Sequence, residues 1–143
     1  MAVRQILYAS QVPRPISEQT CREILNSSRR NNERDGISGL LVYISNGTFL
    51  QVLEGSDAAV EDAMQRIIAD IRHVDIAVLV DKWSRESQFA EWSMGFKTLE
   101  TDELADLEGF KSVRNVDDLS DLFKVRDEIF GVMRAIYNAN ARF

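Results

Sequence analysis

The sequence predicts an α+β domain of the ferredoxin-like type: a βαββαβ sheet with a fifth strand, two helices on one face and a C-terminal helical extension on the other. Three observations carry that expectation. Short segments rich in strand formers alternate with segments of three-and-four-residue apolar spacing, in the order β-α-β-β-α-β-β. The strongest hairpin signal, Asn46-Gly47, falls between the second and third strands. The resulting order matches a split βαβ unit, in which the first and third strands are expected to be central, parallel neighbours.

The first strand is placed at Arg4 to Ser10, ended by Pro13 and Pro15. Ser17 can cap a helix running to about Arg30 or Asn31, with Cys21, Ile24, Leu25 and Ser28 along one side. Gly36 and Gly39 open a second strand, Ile37 to Ser45, and a third follows the turn at Thr48 to Glu54. A second helix is expected from Asp57 to about Asp70, with Val60, Ala63, Met64, Ile67, Ile68 and Ile71 as a wide apolar stripe. Asp75 to Trp83 reads as the fourth strand and Trp92 to Thr98 as the fifth. Two units follow, a domain over 1–98 and a helical extension over 99–143 whose apolar face, Leu119, Leu122, Phe123, Ile129, Phe130, Met133, Ile136 and Tyr137, covers the bare sheet face or serves an interface.

Composition narrows the chemistry. A net charge of −6 and a pI near 4.8 argue against nonspecific nucleic-acid binding, which draws on Lys and Arg neutralising phosphates. No apolar run is long enough for a membrane span and no leader is evident, so a cytoplasmic location without membrane attachment is expected. Cys21 and His73 stand alone as cysteine and histidine, which rules out a disulfide framework and a Cys/His metal site by counting. The nucleophile elbow and the common phosphate-cradling glycine loops are missing as well.

The residues that break the apolar pattern are the candidates for function. Alternation puts Phe49, Gln51 and Leu53 on one face of the third strand and Leu50, Val52 and Glu54 on the other. A glutamine so flanked is buried at a cost unless its amide finds partners. Tyr8 on the neighbouring first strand can approach it, although a backbone contact or a strand-end position would also satisfy Gln51. Ile24, Ser28 and Asn32, with Asn31 beside them, form a stripe on the first helix, and the two asparagines can equally be read as helix C-caps. Arg66 and Asp70 are four apart on the second helix and read as a surface ion pair or as part of a cleft. Trp92 and Met94 share a face of the fifth strand, as core or as neighbours of Gln51.

The segments Y-A-S at 8 to 10, S-S-R-R-N-N-E-R-D-G-I-S-G-L-L at 27 to 41, F-L-Q-V-L-E-G at 49 to 55 and W-S-M at 92 to 94 resemble the BLUF family over residues 4 to 98. The resemblance implies a blue-light photoreceptor of the short stand-alone type, a non-enzymatic flavoprotein holding FAD, or FMN, non-covalently as its chromophore. It assigns Tyr8 as electron and proton donor and Gln51 as the rearranging amide. Asn32 then contacts the pyrimidine edge with Asn31 as a neighbouring contact, Ile24 and Ser28 line the ring, and Phe49 and Ile67 also bind the cofactor. Arg66 and Asp70 face the C2 carbonyl and ribityl side, His73 the phosphate end, and Trp92 and Met94 relay the signal. It also implies sensory transduction to a separate partner, such as a cyclic-di-GMP phosphodiesterase or a response-regulator-like factor, and a homo-oligomer.

Two other readings fit the predicted strand order: a flavin-free ferredoxin-like regulatory module, and an acylphosphatase-like hydrolase, which lacks its anion loop here.

Overall fold

A computed structural model describes residues 2–12, 17–44, 47–72, 74–87, 89 and 94–99. Its elements are β1 (Val3–Gln11), α1 (Glu18–Asp35), β2 (Ser38–Ile44), β3 (Thr48–Gly55), α2 (Asp57–Ala69), β4 (Val74–Ser84) and β5 (Gly95–Leu99). They build one five-stranded sheet in the order β4-β1-β3-β2-β5, the expected ferredoxin-like sheet with a fifth strand.

The adjacency of β1 and β3 holds, but they run antiparallel rather than parallel. The reason is topological. A helical crossover leaves β1 and β2 parallel, and the tight turn makes β3 antiparallel to β2. Sitting between the two, β3 opposes both. Gly47 makes the turn with φ of 92°, a conformation that favours glycine, and its N–H donates to the Ile44 carbonyl at 2.9 Å. At the far edge β5 pairs with β2 in parallel, starting at Gly95 instead of the expected Trp92, a residue outside those described.

Ser17 caps α1 by accepting the Thr20 N–H at 3.1 Å. The helix continues past the expected end near Asn31 to Asp35, because Gly36, at φ of 71°, is the first residue that leaves helical geometry. Asn31 and Asn32 are therefore not C-caps but helical residues whose side chains project from the last turns. The Asn32 carbonyl still closes the helix by accepting the N–H groups of Gly36 and Ile37.

Ser56 caps α2 through the Ala59 N–H, with Asp57 in the first turn and Arg66 in the last, each complementing the helix dipole. Its buried stripe is narrower than the sequence suggests. Val60, Ala63 and Met64 are buried, whereas Ile68 and Ile71 are 63% and 90% exposed because they lie where α2 ends and the chain turns away from the sheet.

Both sheet faces are buried over β1, β2 and β3. The helix face carries Ile6, Tyr8, Leu41, Phe49 and Leu53 against Cys21 and Leu25 of α1 and Val60, Ala63 and Met64 of α2. The opposite face carries Leu7, Leu40, Val42, Ile44, Leu50 and Val52, all essentially inaccessible. Each such side chain contributes roughly 1.5–3 kcal/mol by leaving water, and truncating Leu50 to Ala would cost about 2–5 kcal/mol. The expected C-terminal extension lies outside the described residues, Leu99 excepted.

Candidate functional site

A cavity of about 420 Å³ opens between the sheet and the two helices. That is within the range of small-molecule sites, roughly 300–1,000 Å³. Its floor is the sheet: Tyr8 of β1, Leu41 of β2, and Phe49, Gln51 and Leu53 of β3. One wall is α1, with Ile24, Ser27, Ser28, Asn31 and Asn32, positions spaced to fall on a single helical stripe. The other is α2 and the turn after it, with Ala63, Arg66, Ile67, Ala69, Asp70 and Arg72.

Tyr8 and Gln51 are register partners, so both side chains stand on the helix face, and the phenol donates its hydrogen to Oε1 of the amide. The amide nitrogen reaches Met94 Sδ at 3.4 Å. Gln51 is thus held at both ends, by a hydroxyl on one side and a weak sulfur acceptor on the other. Burial pushes the Tyr8 hydroxyl well above the ordinary tyrosine range, helped by the negative charge of Asp70, so the phenol stays protonated and able to donate.

The mouth of the cavity is charged. Arg72 folds back on Asp70, with its backbone N–H, Nε and Nη2 all within 3.0 Å of the carboxylate oxygens. Arg66 bridges the helices by donating to Asp35 at 3.1 Å, so the expected Arg66–Asp70 pair is not formed. Arg72 competes for Asp70 at two residues' distance, and the extra length of α1 brings Asp35 within reach of Arg66. Asp35 is held below the usual carboxylate range by Arg34, with Arg66 adding to the effect.

Of the expected site residues, Tyr8, Ile24, Ser28, Asn31, Asn32, Phe49, Gln51, Arg66, Ile67 and Asp70 all line this one cavity. Met94 does not; it is buried beside Gln51 and touches the cavity through that amide. His73 and Trp92 lie outside the described residues. Ser27, Leu41, Leu53, Ala63, Ala69 and Arg72 line the cavity without having been anticipated. Leu53 was reachable by strand alternation from Gln51, and Ala63 by helical spacing from Ile67. Arg72 follows the helix end, where no periodicity points inward.

Apolar walls of Ile24, Leu41, Phe49, Leu53 and Ile67, with amide groups from Asn31, Asn32 and Gln51, suit a planar heteroaromatic molecule with carbonyl and imino groups along its edge. The two arginines at the mouth suit an anionic appendage. Among the described residues there is no cluster of three or more His, Cys, Asp or Glu side chains able to hold a metal ion, and no helix long and apolar enough to cross a membrane.

Comparison with known proteins agrees with this architecture. The family model "BLUF: Sensors of blue-light using FAD" matches residues 3–95. The photoactivated adenylate cyclase subunit beta of Euglena gracilis is 33% identical over 96 residues, 66% of this chain but 11% of that protein. The chain thus spans about a tenth of the length of the curated relatives it matches. Among solved structures, the ground state of BlsA superposes with a TM-score of 0.71 at 27% identity, covering 97% of this chain and 87% of that one. Klebsiella pneumoniae BlrP1 with FMN and cyclic diGMP gives 0.63 at 25% identity, covering 94% and 34%.

Proposed function

The chain belongs to the BLUF family, sensors of blue light using FAD, and is a sensor module, not a catalytic one; from that membership we propose that it detects blue light by rearranging the hydrogen bonds of Tyr8 and Gln51 beside a flavin bound non-covalently in the cavity. The observation that carries this reading is the buried phenol–amide contact on the cavity floor, backed by Met94.

The flavin, when bound, supplies the blue absorption and an acceptor for one electron. Tyr8, whose hydroxyl donates to Gln51 Oε1, would be the residue that gives an electron and that proton to the bound ring and takes both back. During that interval the Oε1 of Gln51 loses its donor, which frees the amide to rotate. Rotation would turn Nε2 away from the Met94 sulfur and into the cavity, where it would donate to a carbonyl of the bound ring and so shift absorption to the red. Asn32 and Asn31 would hold the pyrimidine edge, Ile24, Ser28, Phe49 and Ile67 would enclose the ring, and Arg66 and Asp70 would face its C2 carbonyl and ribityl side. Arg72, beyond α2, joins them at the mouth, and the resemblance would give the phosphate end to His73, outside the described residues.

The flavin is FAD in this reading, as in the family's description, with FMN as the alternative, the flavin present in the solved structure of BlrP1. The signal leaves through Met94, β5 and Trp92 to a separate signalling protein, with a cyclic-di-GMP phosphodiesterase or a response-regulator-like factor as the favoured kinds, in a cytoplasmic homo-oligomer. The test is direct. Purified protein, reconstituted with FAD or FMN, should show a flavin band and a reversible red shift of that band under blue light. Absence of flavin uptake, or uptake without the shift, overturns the reading.

A further inference from the structure

β4 and β5 are the two outer strands, so the chain between them must cross from one sheet edge to the other. Its described residues Ser87 and Phe89 lie at the end of the sheet where Ser38 of β2 and Glu54 of β3 are register partners. β3 grips this connection twice. On the helix face, Gln51 Nε2 reaches Met94 Sδ at 3.4 Å. On the opposite face Glu54, fully buried, accepts the backbone N–H of Phe89 at 2.6 Å and the Ser87 hydroxyl at 3.5 Å. Its other oxygen accepts Nε2 of Gln5, its register partner on β1, at 2.6 Å. The Ser87 hydroxyl also lies 3.4 Å from that of Ser38.

The two grips differ in kind. A thioether is a weak acceptor and its contact with Gln51 is long, whereas a carboxylate oxygen 2.6 Å from a backbone N–H is a strong one. The weak grip involves the amide that changes orientation; the strong one involves no group that the light reaction moves. Gln5 and Glu54 also sit on the same two strands as Tyr8 and Gln51 but on the reverse face, screened from the cavity by the sheet itself.

We infer that Glu54 is a fixed anchor at Ser87 and Phe89: when Gln51 releases Met94, residues 94–99 (β5 and its start) move while Ser87 and Phe89 stay in place. Glu54 is then a positioning residue, acting through Phe89 and Ser87. The inference rests on the Gln51 rearrangement proposed above, and its dark-state half can be tested without it.

The experiment is hydrogen exchange by mass spectrometry on the flavin-loaded chain, dark and lit, with the rate of dark recovery followed by absorption. In the parent, light should raise exchange over 94–99 and leave 87–89 unchanged. Glu54→Leu should bind flavin yet exchange at least fivefold faster over 87–89 in the dark, and recover from light at a rate several-fold different. Glu54→Gln should stay near the parent: its carbonyl keeps Phe89, and its Nε2 can turn to Gln5 Oε1, a buried acceptor without a hydrogen-bond partner. Should Glu54→Leu fail to fold, Ser87→Ala supplies the same comparison with a smaller increase. Equal light-driven exchange over 87–89 and 94–99 in the parent overturns the anchor, as does dark exchange over 87–89 that neither Glu54→Leu nor Ser87→Ala alters. A parent with flavin but no light response refutes the Gln51 reading instead, and the dark comparison still decides whether Glu54 fastens the connection.

Discussion

Tyr8 and Gln51 are directly opposed residues of β1 and β3, and the phenol of one donates to the amide carbonyl of the other inside the cavity. Tyr8→Phe keeps the ring and its packing but removes the donor, leaving a buried acceptor unpaired at a cost of about 1–3 kcal/mol. The variant should therefore fold and retain flavin, with a somewhat lower melting temperature, while losing the red-shifted state. Light-minus-dark absorption spectra check this, and a full-amplitude red shift in the variant would refute the donor role.

Asn32 is buried in the last turns of α1 and projects into the cavity, whereas Asn31 is only half-buried beside it. Asn32→Ala should weaken flavin retention about tenfold, equivalent to ~1.4 kcal/mol, and Asn31→Ala should do so less. The ratio of bound flavin to protein after dialysis reads both. Equal occupancy in Asn32→Ala and the parent would remove Asn32 from the binding set.

Most of this frame was legible in the sequence because it rests on local rules. Strand alternation placed Gln51 and Phe49 on one face, and the turn glycine and the serine caps fixed where elements begin. Harder to read were features set by tertiary competition. The direction of β3 relative to β1 is not among them: the crossover through α1 and the tight turn at Gly47 already make the two strands antiparallel, so the parallel expectation was an error of topology. The partner of Arg66 depended on whether α1 reached Asp35, which Gly36 decides, and on Arg72 taking Asp70. Periodicity reaches only a buried polar pair at Tyr8 and Gln51; the photochemical role proposed for it rests on the family resemblance.

Gly39 of β2 has no room for a side chain. A Cβ there would lie 1.9 Å from the Val52 carbonyl oxygen and 3.3 Å from Met94 Cε. The first contact is with backbone and cannot be relieved by a rotamer change, so Gly39→Ala should cost about 1–3 kcal/mol through displacement of β2 from β3. The same displacement pushes Met94 off Gln51. A urea titration should show the lower midpoint, and the dark-state flavin spectrum should shift; a variant as stable as the parent would contradict the tight β2–β3 approach.

Arg4 of β1 gathers three carboxylates, Asp57 and Glu61 of α2 and Asp81 of β4, at the end of α2 remote from Arg66 and Asp70. Its hydrogen bonds with Asp81 hold that carboxyl below its ordinary value of 3.8. A depressed folded value means that the stabilisation is complete above the ordinary carboxylate range and fades as pH falls through the folded value. The contribution is modest, about 1 kcal/mol, because the acidic partners are exposed to solvent. Arg4→Met should therefore lower the urea midpoint at about pH 7, and the gap to the parent should narrow as pH falls below 3.8 and through the depressed value of Asp81. A gap that persists undiminished into acid would show that Arg4 stabilises through packing of its aliphatic stem and not through its charge.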